Sequence, residues 1–154
     1  MDLNDLSYKV RGAIFTVHKE LGPGLLESVY EAALIHELTA AGLNASTQNG
    51  VPVLYKDVKL ELGFRIDILV ESELVIEIKS VEALHDVHKK QLLTYLKLAE
   101  KKLGILVNFN VAKLVDKDSL IRIINWKKKL IVKYNLETAR PFCVVCVQKI
   151  ISHR

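Results

Sequence analysis

The chain has 154 residues, half of them hydrophobic, enough for one compact domain with its own core and no disulfide framework. A net charge of +4 permits an anionic partner such as nucleic acid without requiring one. The opening MDLNDLSYKVRG carries neither a basic nor an apolar leader, and no apolar run reaches the roughly 18 to 20 residues that span a bilayer. Secretion and membrane insertion are therefore not expected, and the two cysteines suit a reducing cytoplasm.

Leu3, Leu6, Val10, Ala13, Ile14, Val17 and Leu21 recur at steps of three and four, which predicts a helix from near Asn4 or Asp5 that Gly22 and Pro23 end. A second helix is expected from about Leu25 to Ala41, with Leu26, Val29, Tyr30, Ala33, Leu34 and Leu38 as its apolar side and Gly42 as its stop. From Val51 the period becomes two: VPVLY, a turn-like KD, VKLEL, FRIDILV and LVIEIKS read as a meander of short strands. Helical spacing returns in HDVHKKQLLTYLKLAEKK through Val87, Leu92, Leu96 and Ala99. LGILVNF then reads as a buried strand and LIRII as another. The expected division is a domain over 1–125 and an extension over 126–154, in which Trp126 to Tyr134 suits a helix or a strand and Pro141 interrupts what precedes FCVVCV.

The stretch GFRIDILVESELVIEIKS raises the chemical question. Alternation puts Phe64, Ile66, Ile68 and Val70 on one face and Arg65, Asp67 and Leu69 on the other, and it separates Leu74, Ile76 and Ile78 from Val75, Glu77 and Lys79. A turn at Glu71, Ser72 and Glu73 would pair Val70 with Leu74, set Asp67 opposite Glu77 and set Arg65 opposite Lys79. Two carboxylates so opposed repel by about 0.2 to 1 kcal/mol, so a positive group belongs between them. Arg65 and Lys79 can supply it on a solvated face. Alternatively, Asp67 and Glu77 clamp a hard divalent cation while Lys79 meets a scissile phosphate. Spacing leaves both readings open.

Glu27 shares a helix side with Tyr30, Glu31 and Leu34, although an acid in a first helical turn needs no function. His88, Gln91 and Tyr95 form a polar line at i, i+3 and i+7. Gln91 and Tyr95 can hold a water and a phosphate oxygen, or simply border the helix. Cys143 and Cys146 have C-x-x-C spacing without a convincing second pair for zinc, even counting His85 and His88, and GPG at 22–24 reads as a turn rather than a phosphate loop. Lys127, Lys128 and Lys129, with Lys89, Lys90, Lys101 and Lys102, suit phosphate contacts or plain solvation.

Taken together, Gly24-Leu25-Leu26-Glu27-Ser28-Val29-Tyr30, Arg65-Ile66-Asp67, Glu77-Ile78-Lys79 and His88-Lys89-Lys90-Gln91 with Tyr95 resemble the G-x-x-E-x-x-Y family of the PD-(D/E)XK nuclease superfamily, over about residues 5 to 125. The resemblance implies an α/β, restriction-endonuclease-like core, a mixed central sheet flanked by helices. It also implies a Mg2+-dependent (or Mn2+-dependent) phosphodiester site acting on DNA or RNA. Asp67 and Glu77 would be metal ligands, Glu27 the helix acid completing the cluster, and Lys79 the lysine of E-x-K. Gln91 and Tyr95 would match a Q-x-x-x-Y helix. Ile66 stands where the superfamily's name has proline. The resemblance leaves room for a homodimer engaging two strands, and for a non-catalytic binding module on the same fold.

Overall fold

The computed structural model describes residues 1–55, 58–126, 132–135 and 140–143, with side chains given for 1–50 and 64–126. Helix α1 (Leu3–Leu21) starts one to two residues earlier than its apolar pattern suggests, because Asp2 caps it: Asp2 Oδ1 accepts from the Asn4 and Asp5 amides at 2.7 and 2.8 Å. Its stripe of Leu6, Val10, Ala13, Ile14 and Val17 is buried. The chain then reverses through Gly22 and Gly24, at φ 65° and 95°, conformations that a side chain disfavours. Helix α2 (Glu27–Ala40) follows, burying Tyr30, Leu34 and Leu38.

Five strands form one mixed sheet in the order β1 (Ala45–Tyr55), β2 (Val58–Val70), β3 (Leu74–Lys79), β4 (Leu103–Asn108) and β5 (Leu120–Ile124). Neighbours are antiparallel except β3 with β4, which are parallel and joined by helix α3 (Asp86–Leu98). Both edges of the expected meander move. The first strand begins six residues before Val51, in the polar segment ASTQNG, and VKLEL and FRIDILV are one continuous strand across Gly63. A separate ribbon pairs β6 (Val132–Asn135) with β7 (Arg140–Cys143). Pro141 therefore lies within a strand, opposite Tyr134, as an edge strand allows. Cys146 and Lys127 to Lys129 lie outside the described residues.

The sheet is covered on both faces. Under α1 and α2 lie Ile68, Val70, Leu74, Ile76 and Ile78 with Leu103, Ile105 and Val107, and under α3 lie Ile66, Val75 and Leu106 with Leu92, Tyr95 and Leu96. Gly104 lets α3 approach β4: a Cβ there would come within 2.9 Å of Leu92 Cδ1. Double coverage explains why β3 and β4 read as near-continuous apolar runs. Among the described residues, no helix is long and apolar enough to cross a membrane.

Candidate active site at the end of β3

The hairpin of β2 and β3 closes as its spacing implies, with Val70 opposite Leu74 and Glu71, Ser72 and Glu73 in the turn. Glu71 and Ser72 take φ 50° and 55°. Glu71 is held by Asn44, whose amide donates to Glu71 Oε1 at 2.8 Å and whose carbonyl accepts from the Glu71 amide. The ladder stops at Ile68 and Ile76, so the expected pairing of Asp67 with Glu77 and Arg65 with Lys79 is not made. Instead Asp67 Oδ2 accepts from the Ile78 amide at 2.8 Å, a side chain standing in for the missing rung.

Strict alternation also fails at this residue. Phe64 and Ile66 pack toward Tyr95 beneath α3, whereas Ile68 and Val70 lie beneath α1 and α2. Gln48, between the Thr47–Ile68 and Asn49–Ile66 pairs and so opposite Asp67, takes φ 53° and donates from Nε2 to Glu31 Oε2 at 2.9 Å. A left-handed residue kinks its strand, and this one lies in β1 at the level where β2 changes face.

Beyond the kink the charges gather. Glu77 is 2% exposed, and its Oε1 accepts from Lys79 Nζ at 2.5 Å. Among the described residues, its Oε2 is buried with no hydrogen-bond partner. Burial, and then the charge of Asp67, push the Glu77 carboxyl up to about 7 against the pull of Lys79. Burial also raises Asp67, against the Ile78 amide and Lys79. For Lys79, burial disfavours the ammonium, but the hydrogen bond and charge of Glu77, with Glu27 and Asp67, hold its pKa above the ordinary value.

Glu27 reaches the same neighbourhood from the start of α2. Its Oε1 accepts from the Ser80 amide at 3.1 Å, and Ser80 Oγ donates to the Leu25 carbonyl at 2.6 Å, so the end of β3 is tied to the α2 entry. Tyr30 fixes that entry from below: its hydroxyl donates to the Gly22 carbonyl at 2.7 Å and accepts from the Leu25 amide at 3.1 Å, while its ring stacks on Phe109 at 4.4 Å. At the end of β4, the buried Asn108 accepts from the Val81 and Asn110 amides and donates to the Val81 carbonyl at 2.8 Å. Gly24, Leu25, Leu26, Glu27, Ser28, Ser80 and Asn110 line an open pocket of about 580 Å³. It lies beyond the carboxyl ends of the parallel strands β3 and β4, where open α/β sheets bind ligands.

Two sequence candidates meet each other rather than the acids. Gln91 Nε2 donates to the Tyr95 hydroxyl at 2.6 Å on α3. His88, one turn before Gln91, accepts at Nδ1 from the His85 amide. Burial and then the charge of Lys79 lower its pKa. Ser80, Asn108 and the anchoring role of Tyr30 escaped the sequence reading. The available signals were a polar residue closing the apolar run LGILVN and a serine directly after E-I-K.

Glu77 Oε2 is the observation that bears on a metal. A buried carboxylate oxygen without a donor is costly, and a hard divalent cation accepts such oxygens. Asp67 and Glu77 therefore fit a cation by chemistry, although among the described residues no group of three His, Cys, Asp or Glu side chains is placed to hold one.

A mixed five-stranded sheet between helix layers, with acids and a lysine at the end of its central strand, defines a restriction-endonuclease-like α/β domain. The chain belongs to the PD-(D/E)XK nuclease superfamily, whose family model matches residues 4–123. Comparison with curated proteins and with solved structures gives no match.

Proposed function

We propose that this chain is a Mg2+-dependent nuclease of the G-x-x-E-x-x-Y type that hydrolyses phosphodiester bonds of DNA or RNA, with Mn2+ able to replace Mg2+. The observation that carries the reading is Glu77, a buried carboxylate with one oxygen on Lys79 and the other unpartnered among the described residues. In this reading Asp67 and Glu77 hold the cation and Glu27 completes the acidic set. When bound, the cation supplies Lewis-acid activation of water. Lys79, kept charged by three surrounding acids, meets the negative charge that builds on the phosphate oxygens. Gln91 and Tyr95 position a water or a phosphate oxygen through the amide and hydroxyl they now share.

The test is cleavage of labelled DNA and RNA strands by the purified protein with Mg2+ or Mn2+. Asp67→Ala and Lys79→Ala should each reduce cutting by about 100-fold or more while leaving the circular dichroism spectrum unchanged. A Lys79→Ala protein that cuts at the wild-type rate would sink the mechanism.

A second reading, a nucleic-acid-binding or protein-interaction module without chemistry, draws on a specific observation. Glu27 and Asp67 each commit an oxygen to a backbone amide, and no three-ligand metal cluster forms among the described residues. Calorimetric titration with Mg2+ separates the two readings: the nuclease binds the ion and loses binding in Asp67→Ala, whereas the module takes up none.

A further inference from the structure

Phe64 departs from its surroundings. It is 41% exposed, whereas Ile66, Ile68 and Val70 on the same strand are at most 1% exposed. Its ring is nevertheless placed: it leans on Tyr95 with ring centroids 5.1 Å apart and planes at 46°. Tyr95 is in turn 5% exposed and held at its hydroxyl by Gln91. One side of the Phe64 ring is thus fixed by a buried aromatic, and a large part of the rest is open to solvent.

The position of that ring relative to the charges gives it a use. His88, Gln91 and Tyr95 follow one another along α3. Phe64 stands three residues before Asp67 on β2, about 10 Å along the strand, and meets Tyr95 on the face that α3 covers. Glu77 and Lys79 alternate with Ile76 and Ile78, which lie under α1 and α2, and so fall on that same α3 side. A strand lying along this face with a phosphate at Lys79 would reach Phe64 within a few nucleotides.

Resting on the nuclease reading above, we propose that Phe64, backed by Tyr95, is a base-stacking platform that makes an unpaired strand the substrate. Every base offers a π-face to an aromatic ring, but within a duplex those faces are already covered by neighbouring bases. An exposed ring beside the acids therefore favours single strands, or ends that have frayed open, over continuous duplex. Phe64 is a positioning and specificity residue in this account, and the reacting groups stay with Asp67, Glu77 and Lys79.

The experiment uses the full wild-type chain with Ca2+ in place of Mg2+, which keeps Lys79 for the phosphate while suppressing cutting, and single-stranded oligonucleotides carrying 2-aminopurine at successive positions. Stacking quenches that fluorophore, so a purely structural phenylalanine would leave it bright. The parent protein should quench one position strongly. Phe64→Trp should keep the quench, while Phe64→Leu and Phe64→Ala should lose it and weaken single-strand binding roughly tenfold or more, with duplex binding little changed. Phe64→Leu retains apolar bulk, so the comparison survives if Phe64→Ala fails to fold. Parent-like quenching and affinity in Phe64→Leu would overturn the platform and leave the nuclease reading standing. A parent protein that binds no strand at all would remove the nuclease reading and the platform with it.

Discussion

From the turn as far as Ile68 and Ile76, β2 and β3 are paired strands with apolar side chains on both faces. Past those two residues the same strands carry Asp67, Glu77 and Lys79, and the ladder ends. The paired half is stabilised by burial and by backbone hydrogen bonds. The charged half keeps its ladders to β4 and β1, but its further ties are side chains: Asp67 on the Ile78 amide, Lys79 on Glu77, Glu27 on the Ser80 amide. The contrast teaches why the two halves adjoin. A buried carboxylate pushed up to about 7 opposes folding at neutral pH, and the rigid paired half next to it offsets that cost and fixes where the acid points.

Substitutions can break this comparison from either side, and the largest effect should come from the paired half. Ile76 is fully buried between Ile68 and Ile105, so Ile76→Ala should cost about 2 to 5 kcal/mol in urea unfolding. In the charged half, the expected effect depends on pH. The folded pKa of Glu77 rises from 4.5 to about 7, so between those values the native state keeps a proton that the unfolded chain has released. Stability should therefore fall as pH rises through that window, by about 3 kcal/mol for a shift of this size, and Asp67, also raised, adds a fall of the same sign. Lys79, raised above 10.5, contributes stability lost only in strong alkali, outside the window. Glu77→Gln should flatten the profile between pH 5 and 8. A wild-type protein equally stable at both ends would contradict the assigned burial of Glu77.

How much of this was legible in the sequence follows from the same division. Helices α1 and α2 follow from periodicity because they bury regular stripes, and the hairpin turn from the break between two apolar runs, whereas the mixed sheet was implied by the family resemblance rather than by spacing. The start of β1 was hidden, because ASTQNG is polar and turn-like and becomes a strand only by pairing along Ile66 to Val70. Asp67, Glu77 and Lys79 were recognisable as residues that share a neighbourhood. Their predicted opposition was not met, since alternation assumes a regular strand pair, whereas β2 changes face between Ile66 and Ile68, where its ladder with β3 ends. The contacts of Ser80 and Asn108 were illegible for another reason. Their partners are backbone groups of loops distant in sequence, and backbone groups leave no pattern in side-chain identity.

The remaining effects should be smaller. Asn108→Ala strands the Val81 carbonyl and the Val81 and Asn110 amides at the end of β4, which should cost about 1 to 3 kcal/mol, read by thermal or urea unfolding. Tyr30→Phe should cost least, about 1 kcal/mol, because the ring keeps its stack on Phe109 and only the hydroxyl is lost. Its consequence for the site should exceed its consequence for stability. The hydroxyl joins Gly22 to Leu25 across the turn that delivers Glu27, so its removal frees the Leu25 amide and leaves Ser80 Oγ as the other tie on that segment. Amide exchange at Leu25 should accelerate well beyond the roughly fivefold that a loss of about 1 kcal/mol imposes on a core amide such as Ile76. If both amides speed up by the same factor, the turn is an integral part of the core. If Leu25 responds far more than Ile76, the charged end of the hairpin has discrete side-chain ties that open locally while the paired strands stay closed.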